Sequence, residues 1–151
     1  MNNQRIVLAS RPAAAPSAEN FRVEEVALAP LNDGEIRIRN LYLSLDPYMR
    51  GRMSDAKSYA QPQPLNETMI GGTVGEVVES RNTAFAVGDK VVGMGGWQLY
   101  STATGRGDIR KVDTTHIPLS AYLGAVGMPG MTAWYGLNKI CEPKAGETVC
   151  V

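Results

Sequence analysis

The sequence predicts a partly open β-barrel with helices appended towards its C-terminal end. Roughly the first two thirds of the chain consists of short apolar runs separated by turns, and 16 glycines and 9 prolines punctuate the 151 residues. Beyond residue 118 the composition changes to Ala, Leu, Met and Tyr at helical spacing. The sequence contains neither an internal repeat nor a low-complexity tract. Many short strands followed by helices are typical of this fold class.

The first two strands are predicted at residues 5–9 and 21–29, with a turn and a small-residue loop between them. In the second strand, the apolar positions change phase between Val23 and Val26. Side chains of a strand alternate strictly between its two faces, so a slip of one residue predicts a β-bulge here.

The third strand is predicted at residues 35–45 and carries its apolar side chains on different faces at its two ends. Ile36 and Ile38 share one face. The leucines that follow share the other face, and they are Leu41, Leu43 and Leu45. The change of phase at Asn40 predicts a strand that bends and is buried on opposite faces before and after that residue.

The remaining elements alternate with Gly- and Pro-rich loops. Asp46 as N-cap and Pro47 at the first helical position predict a short helix over residues 48–53. Further strands are predicted at residues 72–79, 90–94, 97–102 and 109–112. Two successive helices are predicted at residues 118–127 and 129–139, with Gly127 ending the first and Pro129 opening the second.

Composition excludes several classes of function. The 15 basic and 15 acidic residues balance, so no excess charge favours nucleic acid or an anionic membrane as a partner. No apolar stretch approaches the roughly 20 residues of a membrane span, and the polar start is not a signal peptide. Cys141 and Cys150 are too few for a disulfide framework or a four-ligand metal site. We expect a cytoplasmic domain with reduced, structural cysteines.

The chain contains no motif for phosphate binding or nucleophilic catalysis. Its three glycine clusters fit neither G-x-G-x-x-G nor G-x-x-x-x-G-K-[ST] and are better explained as bulges, tight turns or close backbone contacts. The single histidine, His116, lies beside Ile117-Pro118, where a solvated loop residue is expected. There is no G-x-S-x-G motif. By elimination, any chemistry depends on a cofactor.

Residues 148–151 form an apolar, β-branched run introduced by a turn. An apolar strand with a free edge is an aggregation hazard, so the run favours a strand that continues into an absent segment. A Gly-rich turn and a helix after it would make this run the first strand of a dinucleotide-binding unit. The alternative is that it closes the sheet of this domain.

Three short strings, in this order, carry a resemblance to a known family. The first runs from Leu43 to Met53 (LSLDPYMRGRM), the second from Gly127 to Ala133 (GMPGMTA), and the third from Lys144 to Val149 (KAGETV). Together they resemble the zinc-independent medium-chain reductases of the prostaglandin/leukotriene reductase branch. The similarity extends from about Val7 to Val151.

The resemblance implies a fold, a cofactor and partners. Residues 1–147 would form the GroES-like, substrate-side domain, and residues 148–151 would begin a Rossmann nucleotide-binding domain that is absent here. The cofactor implied is NADPH, bound mainly by that missing domain, and the full-length protein is expected to be a homodimer. The fragment alone is expected to be inactive.

The resemblance also implies chemistry without a metal. Zinc-dependent relatives place a Cys ligand at the end of the strand that corresponds to residues 41–45, whereas this sequence has no Cys before position 141. Hydride transfer to the C=C bond of an α,β-unsaturated ketone or aldehyde needs no zinc. It requires hydrogen-bond donors for the enolate oxygen and a proton for the α-carbon.

Five residues are candidates for the site, and two of them have a structural alternative. By resemblance, Met128 and Thr132 would contact the nicotinamide, although Thr132 could simply cap its helix. Tyr59 would line the substrate pocket and donate a hydrogen bond to the enolate, unless it is an exposed loop tyrosine. The hydrophobic substrate site would include Met94 and Trp97.

Two arginines in the first string, Arg50 and Arg52, could contact a cofactor phosphate, but salt bridges to Asp46 or Asp55 are favoured.

Two other functions stay open at this stage. A quinone reductase of the same superfamily would share the fold and the cofactor, and assays of enones against quinones separate the two. Barrels of this type are also similar to chaperonin-cap domains, so a non-catalytic binding module is the third alternative. Fold alone does not decide among them.

Overall fold

The computed structural model describes residues 2–150 and consists mainly of β-strands. The strands are β1 (Asn2–Leu8), β2 (Phe21–Ala27), β3 (Ile36–Leu43), β4 (Thr73–Ser80), β5 (Lys90–Gly93), β6 (Tyr100–Ala103) and β7 (Ile109–Lys111). The α-helices are α1 (Tyr48–Arg52) and α2 (Met128–Tyr135), with 3₁₀ helices at Ala18–Asn20 and Leu119–Leu123 and a π-helical segment at Gly136–Cys141. The predicted fold class is confirmed, since the larger sheet curls into a partly open barrel.

The five-stranded sheet has the order β6-β3-β4-β5-β7, and all its neighbouring strands are antiparallel. The register of β3 against β4 shifts between Asn40 and Tyr42, which confirms the predicted break. The predicted burial after the break is wrong, because Leu41 and Leu43 are exposed. At this point the side-chain amide of Asn40 donates to the carbonyl of Gln98 at 2.9 Å. A second shift lies between Arg37 and Ile38. These irregularities let β3 bend, because extra residues in a ladder increase its local twist.

The two-stranded sheet pairs β1 with β2 in an unbroken register from Asn2 opposite Ala27 to Leu8 opposite Phe21. The predicted bulge in β2 is therefore wrong. Val23 is 64% exposed in this strand, so its apolar side chain does not lie on a buried face. A change of apolar phase requires a bulge only where one face is consistently buried.

Two clusters of buried side chains form the core, and both come from the first part of the chain. One fills the larger sheet and consists of Ile36, Ile38, Val77, Phe85 and Val91. The other joins β1 to α1 and consists of Leu8, Met49, Met53 and Met69. The main chain reinforces this junction, since Met69 N donates to Ile6 O at 2.9 Å. The second cluster fixes α1 in place, and α1 forms one wall of the site described below.

The C-terminal part differs, because no residue between 102 and 150 is buried. The predicted helix at residues 118–127 is only a short 3₁₀ helix, and the helix predicted at 129–139 is α2 followed by the π-helical segment. Residues 148–150 pair with no strand among the described residues, so the alternative that this run closes the sheet of the domain is wrong. Val151 lies outside the described residues, and a strand that continues into an absent segment stays a prediction.

Candidate functional site

A large cleft lies between the end of the barrel and the C-terminal helices and has a volume of about 610 Å³. Most of its surface is apolar. It is lined by Ser44, Asp46, Tyr48, Arg52, Tyr59, Ile70, Gly72, Val92, Gly93, Met94, Arg110, Tyr122, Leu123, Val126, Gly127, Met128, Pro129 and Met131. A concave, mostly apolar surface with a few polar side chains is typical of a small-molecule site.

Helix α1 forms the first wall of the cleft. Met49 and Met53 are 3% and 4% exposed and anchor the helix in the core, which directs Tyr48 and Arg52 towards the cleft. The side chain of Asp46 makes no cap hydrogen bond, so the predicted N-cap is wrong. Its main-chain carbonyl instead accepts from Met49 N at 3.1 Å.

The start of α2 forms the opposite wall, and two glycines of the second string permit its close packing. A Cβ atom at Gly127 would lie 2.2 Å from the carbonyl oxygen of Tyr122, and one at Gly130 would lie 1.8 Å from that of Ala125. Neither position therefore accepts a side chain without movement of the backbone. Met128, at the start of this helix, lines the cleft.

Tyr48 is a site residue that the sequence interpretation missed. It is half-buried, packs beside the second core cluster and lines the cleft. Burial raises the pKa of its hydroxyl, the Asp46 carboxylate raises it further, and the Arg52 guanidinium opposes both effects. The hydroxyl therefore remains protonated at neutral pH and can donate a hydrogen bond. Its position directly after Asp46-Pro47 in the first string was the available signal.

Three of the five predicted site residues meet at this cleft, namely Tyr59, Met94 and Met128. All three are exposed, and Tyr59 is the most exposed at 88%. Tyr59 comes from the loop after α1, Met94 from the end of β5 and Met128 from the start of α2. Residues distant in sequence thus converge on one surface, while their chemical roles stay predictions.

Thr132 and Trp97 are not among the lining residues. The hydroxyl of Thr132 donates to the carbonyl of Met128 at 2.9 Å within α2, which leaves its oxygen free to accept. Trp97 packs against the second core cluster, and its ring stacks on Phe21 with 5.4 Å between centroids. It lines a smaller groove between β1 and β3 instead.

The two arginines of the first string, Arg50 and Arg52, do not form the salt bridges that the sequence predicts. Arg50 donates to the carbonyl of Ala14 at 2.7 Å, and Asp55 lies 3.9 Å from Arg11. Neither Arg50 nor Arg52 forms an ion pair within residues 2–150, so the predicted salt bridges to Asp46 or Asp55 are wrong. The main-chain carbonyls of the small-residue loop satisfy Arg50 instead.

Across residues 2–150, no group of three or more His, Cys, Asp or Glu side chains is arranged to hold a metal ion. In the same range, no helix is long and apolar enough to cross a membrane. His116 is exposed, as predicted, and both cysteines are exposed and free.

The sequence matches the family model for the N-terminal domain of oxidoreductase over residues 4–112. It is 50% identical to the NADPH-dependent curcumin reductase of Escherichia coli over 149 residues, which are 99% of this chain and 43% of that protein. It is 43% identical to rat prostaglandin reductase 1 over 139 residues, which are 90% of this chain and 40% of that protein.

Among solved structures, the chain resembles CurA from Vibrio vulnificus in complex with NADPH. The TM-score is 0.86 at 49% sequence identity, and the match covers 95% of this chain and 42% of that one. The chain thus spans less than half the length of the relatives it matches. The resemblance drawn from the three strings is confirmed.

Proposed function

Because the chain belongs to the family of N-terminal oxidoreductase domains, we propose that it is the substrate-side domain of an NADPH-dependent reductase. In this proposal the whole protein reduces the C=C bond of α,β-unsaturated ketones and aldehydes without zinc. The observation that carries the proposal is the apolar cleft of about 610 Å³, where tyrosine hydroxyls and methionine side chains converge. Residues 1–147 form this domain, and residues 148–151 lead into the nucleotide-binding domain.

The cleft surface fits a nicotinamide ring at its α2 edge. Met128 and Met131 are 68% and 64% exposed and offer apolar surface to a flat ring. Thr132, one turn after Met128, keeps acceptor capacity for a carboxamide N–H. When bound, NADPH supplies the hydride. The role of this chain is to hold and orient the substrate beside it.

The polar groups of the first wall then act on the substrate carbonyl. A tyrosine hydroxyl that donates to this oxygen stabilises the negative charge that develops when the β-carbon accepts hydride. Tyr48 is held by a helix anchored in the core, whereas Tyr59 lies on a loop and is 88% exposed. We therefore assign the main donor role to Tyr48 and a supporting role to Tyr59. Donors on rigid elements need less reorganisation in the transition state.

Activity is best tested in a chimera that joins residues 1–151 to the C-terminal part of the E. coli relative. We expect NADPH oxidation with enones, faster than with quinones, and no stoichiometric zinc by elemental analysis. Faster turnover of quinones would favour the quinone reductase instead. A soluble, folded chimera without either activity would contradict the enzyme proposal and favour a binding module.

The 151-residue chain provides the matched comparison. We expect it to reduce no enone and to bind NADPH weakly, because the sequence lacks a phosphate-binding motif. Micromolar affinity for NADPH in calorimetry would contradict this assignment of cofactor binding to the other domain. Dimerisation of the whole protein and its cytoplasmic location stay predictions.

A further inference from the structure

Arg52 is unusual among the arginines around α1, because the fold does not use its guanidinium. Arg11 donates to the carbonyls of Met53 and Gln63, at 2.9 and 3.2 Å. Arg50 donates to Ala14. The hydrogen bonds of these two arginines connect α1 to the neighbouring loops. In contrast, the Nε atom of Arg52 is fully buried without a hydrogen-bond partner, and the side chain forms no ion pair with any of residues 2–150.

The position of Arg52 leaves this charge without a protein partner at the cleft. Its side chain lines the cleft next to Tyr48, and both lie on α1. The other cleft arginine, Arg110, lies 5.9 Å from the centroid of the Tyr122 ring, so an aromatic face already engages it. Asp46 is the acidic residue of the lining, and it forms no ion pair with Arg52 within the described residues. With two arginines and one aspartate, the lining of the cleft carries a net positive charge.

We propose that Arg52 recognises an oxyanionic group, a carboxylate or a phosphate, on a ligand bound in this cleft. The inference rests on the proposed function, because the cleft is assumed to be the substrate site. A guanidinium presents five N–H donors and binds a planar carboxylate or a phosphate through paired hydrogen bonds. The group has two possible sources, an acid function on the substrate or a phosphate of the cofactor.

The test measures binding to the 151-residue chain by calorimetry, with ligands that do not react with the exposed cysteines. The first pair is 3-benzoylpropanoic acid and its methyl ester, which differ in one charge. The third ligand is nicotinamide mononucleotide, which carries a phosphate. The variants are Arg52→Gln, Arg52→Lys and the control Arg106→Gln, which removes one positive charge at an exposed residue outside the cleft lining. Thermal melting establishes that each variant is folded.

We expect the acid to bind wild-type protein about tenfold or more tightly than the ester, since charge-assisted hydrogen bonds are stronger than neutral ones. Arg52→Gln should abolish this preference and leave the affinity for the ester unchanged. Arg52→Lys should keep part of the preference for the acid. The control Arg106→Gln should keep all of it. If the phosphate is the natural group, nicotinamide mononucleotide should show this dependence on Arg52 instead of the acid.

The outcomes separate this inference from the proposed function. If the ester binds and Arg52→Gln changes the affinity for neither the acid nor the mononucleotide, the inference is overturned and the substrate cleft stands. If none of the three ligands binds, the inference is overturned, while the activity of the chimera decides the proposed function independently.

Discussion

The two parts of the chain that enclose the cleft differ in how they are held. The β-rich part contains every buried residue among those that the structure describes, from Asn3 to Ser101, and its strands pair along most of their length. The helical part, residues 119–150, contributes none, and it exposes large apolar side chains. Those are Val126, Met128, Met131, Trp134, Tyr135, Leu137, Ile140 and Val149. The first part therefore carries the stability, and the second offers apolar surface.

This difference is reflected in the polar groups of the site. The wall formed by α1 is anchored through Met49 and Met53, so Tyr48 and Arg52 are held from within the core. The α2 wall is placed by close backbone contacts at its glycines, and no residue of α2 is buried. Under the proposed function, we expect the β-rich part to orient the substrate and the helical part to adapt to a neighbouring ring or domain.

The largest effect is expected for a truncation in the β-rich core. Leu8 is fully buried, so Leu8→Ala should lower the free energy of unfolding by about 2–5 kcal/mol. Ile140→Ala removes an apolar side chain that is 72% exposed, and surface changes are usually within about 0.5 kcal/mol. Chemical denaturation of both variants checks the contrast. Equal losses would mean that the two parts share one core in solution.

The next largest effect concerns the donors on the anchored wall. In the active chimera, Tyr48→Phe should lower kcat by about 100-fold with little change in KM, as for loss of one oxyanion donor. Tyr59→Phe should cost about tenfold or less, because water can replace a hydroxyl that is 88% exposed. Steady-state kinetics with one enone measures both. Wild-type kcat in Tyr48→Phe would remove this residue from the mechanism.

A smaller effect is expected on the opposite wall. Thr132→Val keeps the shape of the side chain and removes the hydroxyl that donates to Met128 O. Cofactor positioning should weaken, and kcat should fall by about tenfold with every substrate alike. Rates of the chimera with two enones of different size test this. A loss confined to one enone would place Thr132 at the substrate instead of the nicotinamide.

Sequence patterns predicted the local elements of the β-rich part well, because strand burial there follows the alternation of side chains. The alternation of Ile36 and Ile38 correctly indicates a buried face before Asn40, whereas Leu41 and Leu43 after it are exposed although their alternation predicts burial. The same reasoning failed for β2. Val23 is exposed there, so the spacing of apolar residues does not indicate which face is buried.

The site was predicted less completely, since its lining depends on contacts between distant segments. Arg110 and Tyr122 meet through the packing of β7 beside the 3₁₀ helix, which no local pattern encodes. Trp97 was assigned to the substrate site from the resemblance to the reductase family. In the structure it stacks on Phe21, a contact that requires the pairing of β1 with β2. In both cases, contacts between segments distant in sequence determine where the side chain lies.

The smallest effect tests an ion pair that joins two strands of the larger sheet. Lys111 on β7 lies 2.6 Å from Asp89, just before β5, and Ala86 N also donates to this carboxylate at 2.8 Å. The Lys111 ammonium and this amide hold the pKa of Asp89 below its ordinary value of 3.8. A carboxylate with a lowered pKa in the folded state stabilises that state above its unfolded pKa, and this stabilisation is lost as the pH falls through the folded value.

Asp89→Asn should therefore cost about 1 kcal/mol or less at neutral pH, because the pair is partly solvated. The difference between wild type and variant should shrink as the pH falls below about 3.8. Asp55→Asn makes the same charge change on a side chain that is 81% exposed and serves as the control. Urea denaturation at a series of pH values measures both. A difference for Asp89→Asn that is independent of pH would assign the loss to packing and not to the ion pair.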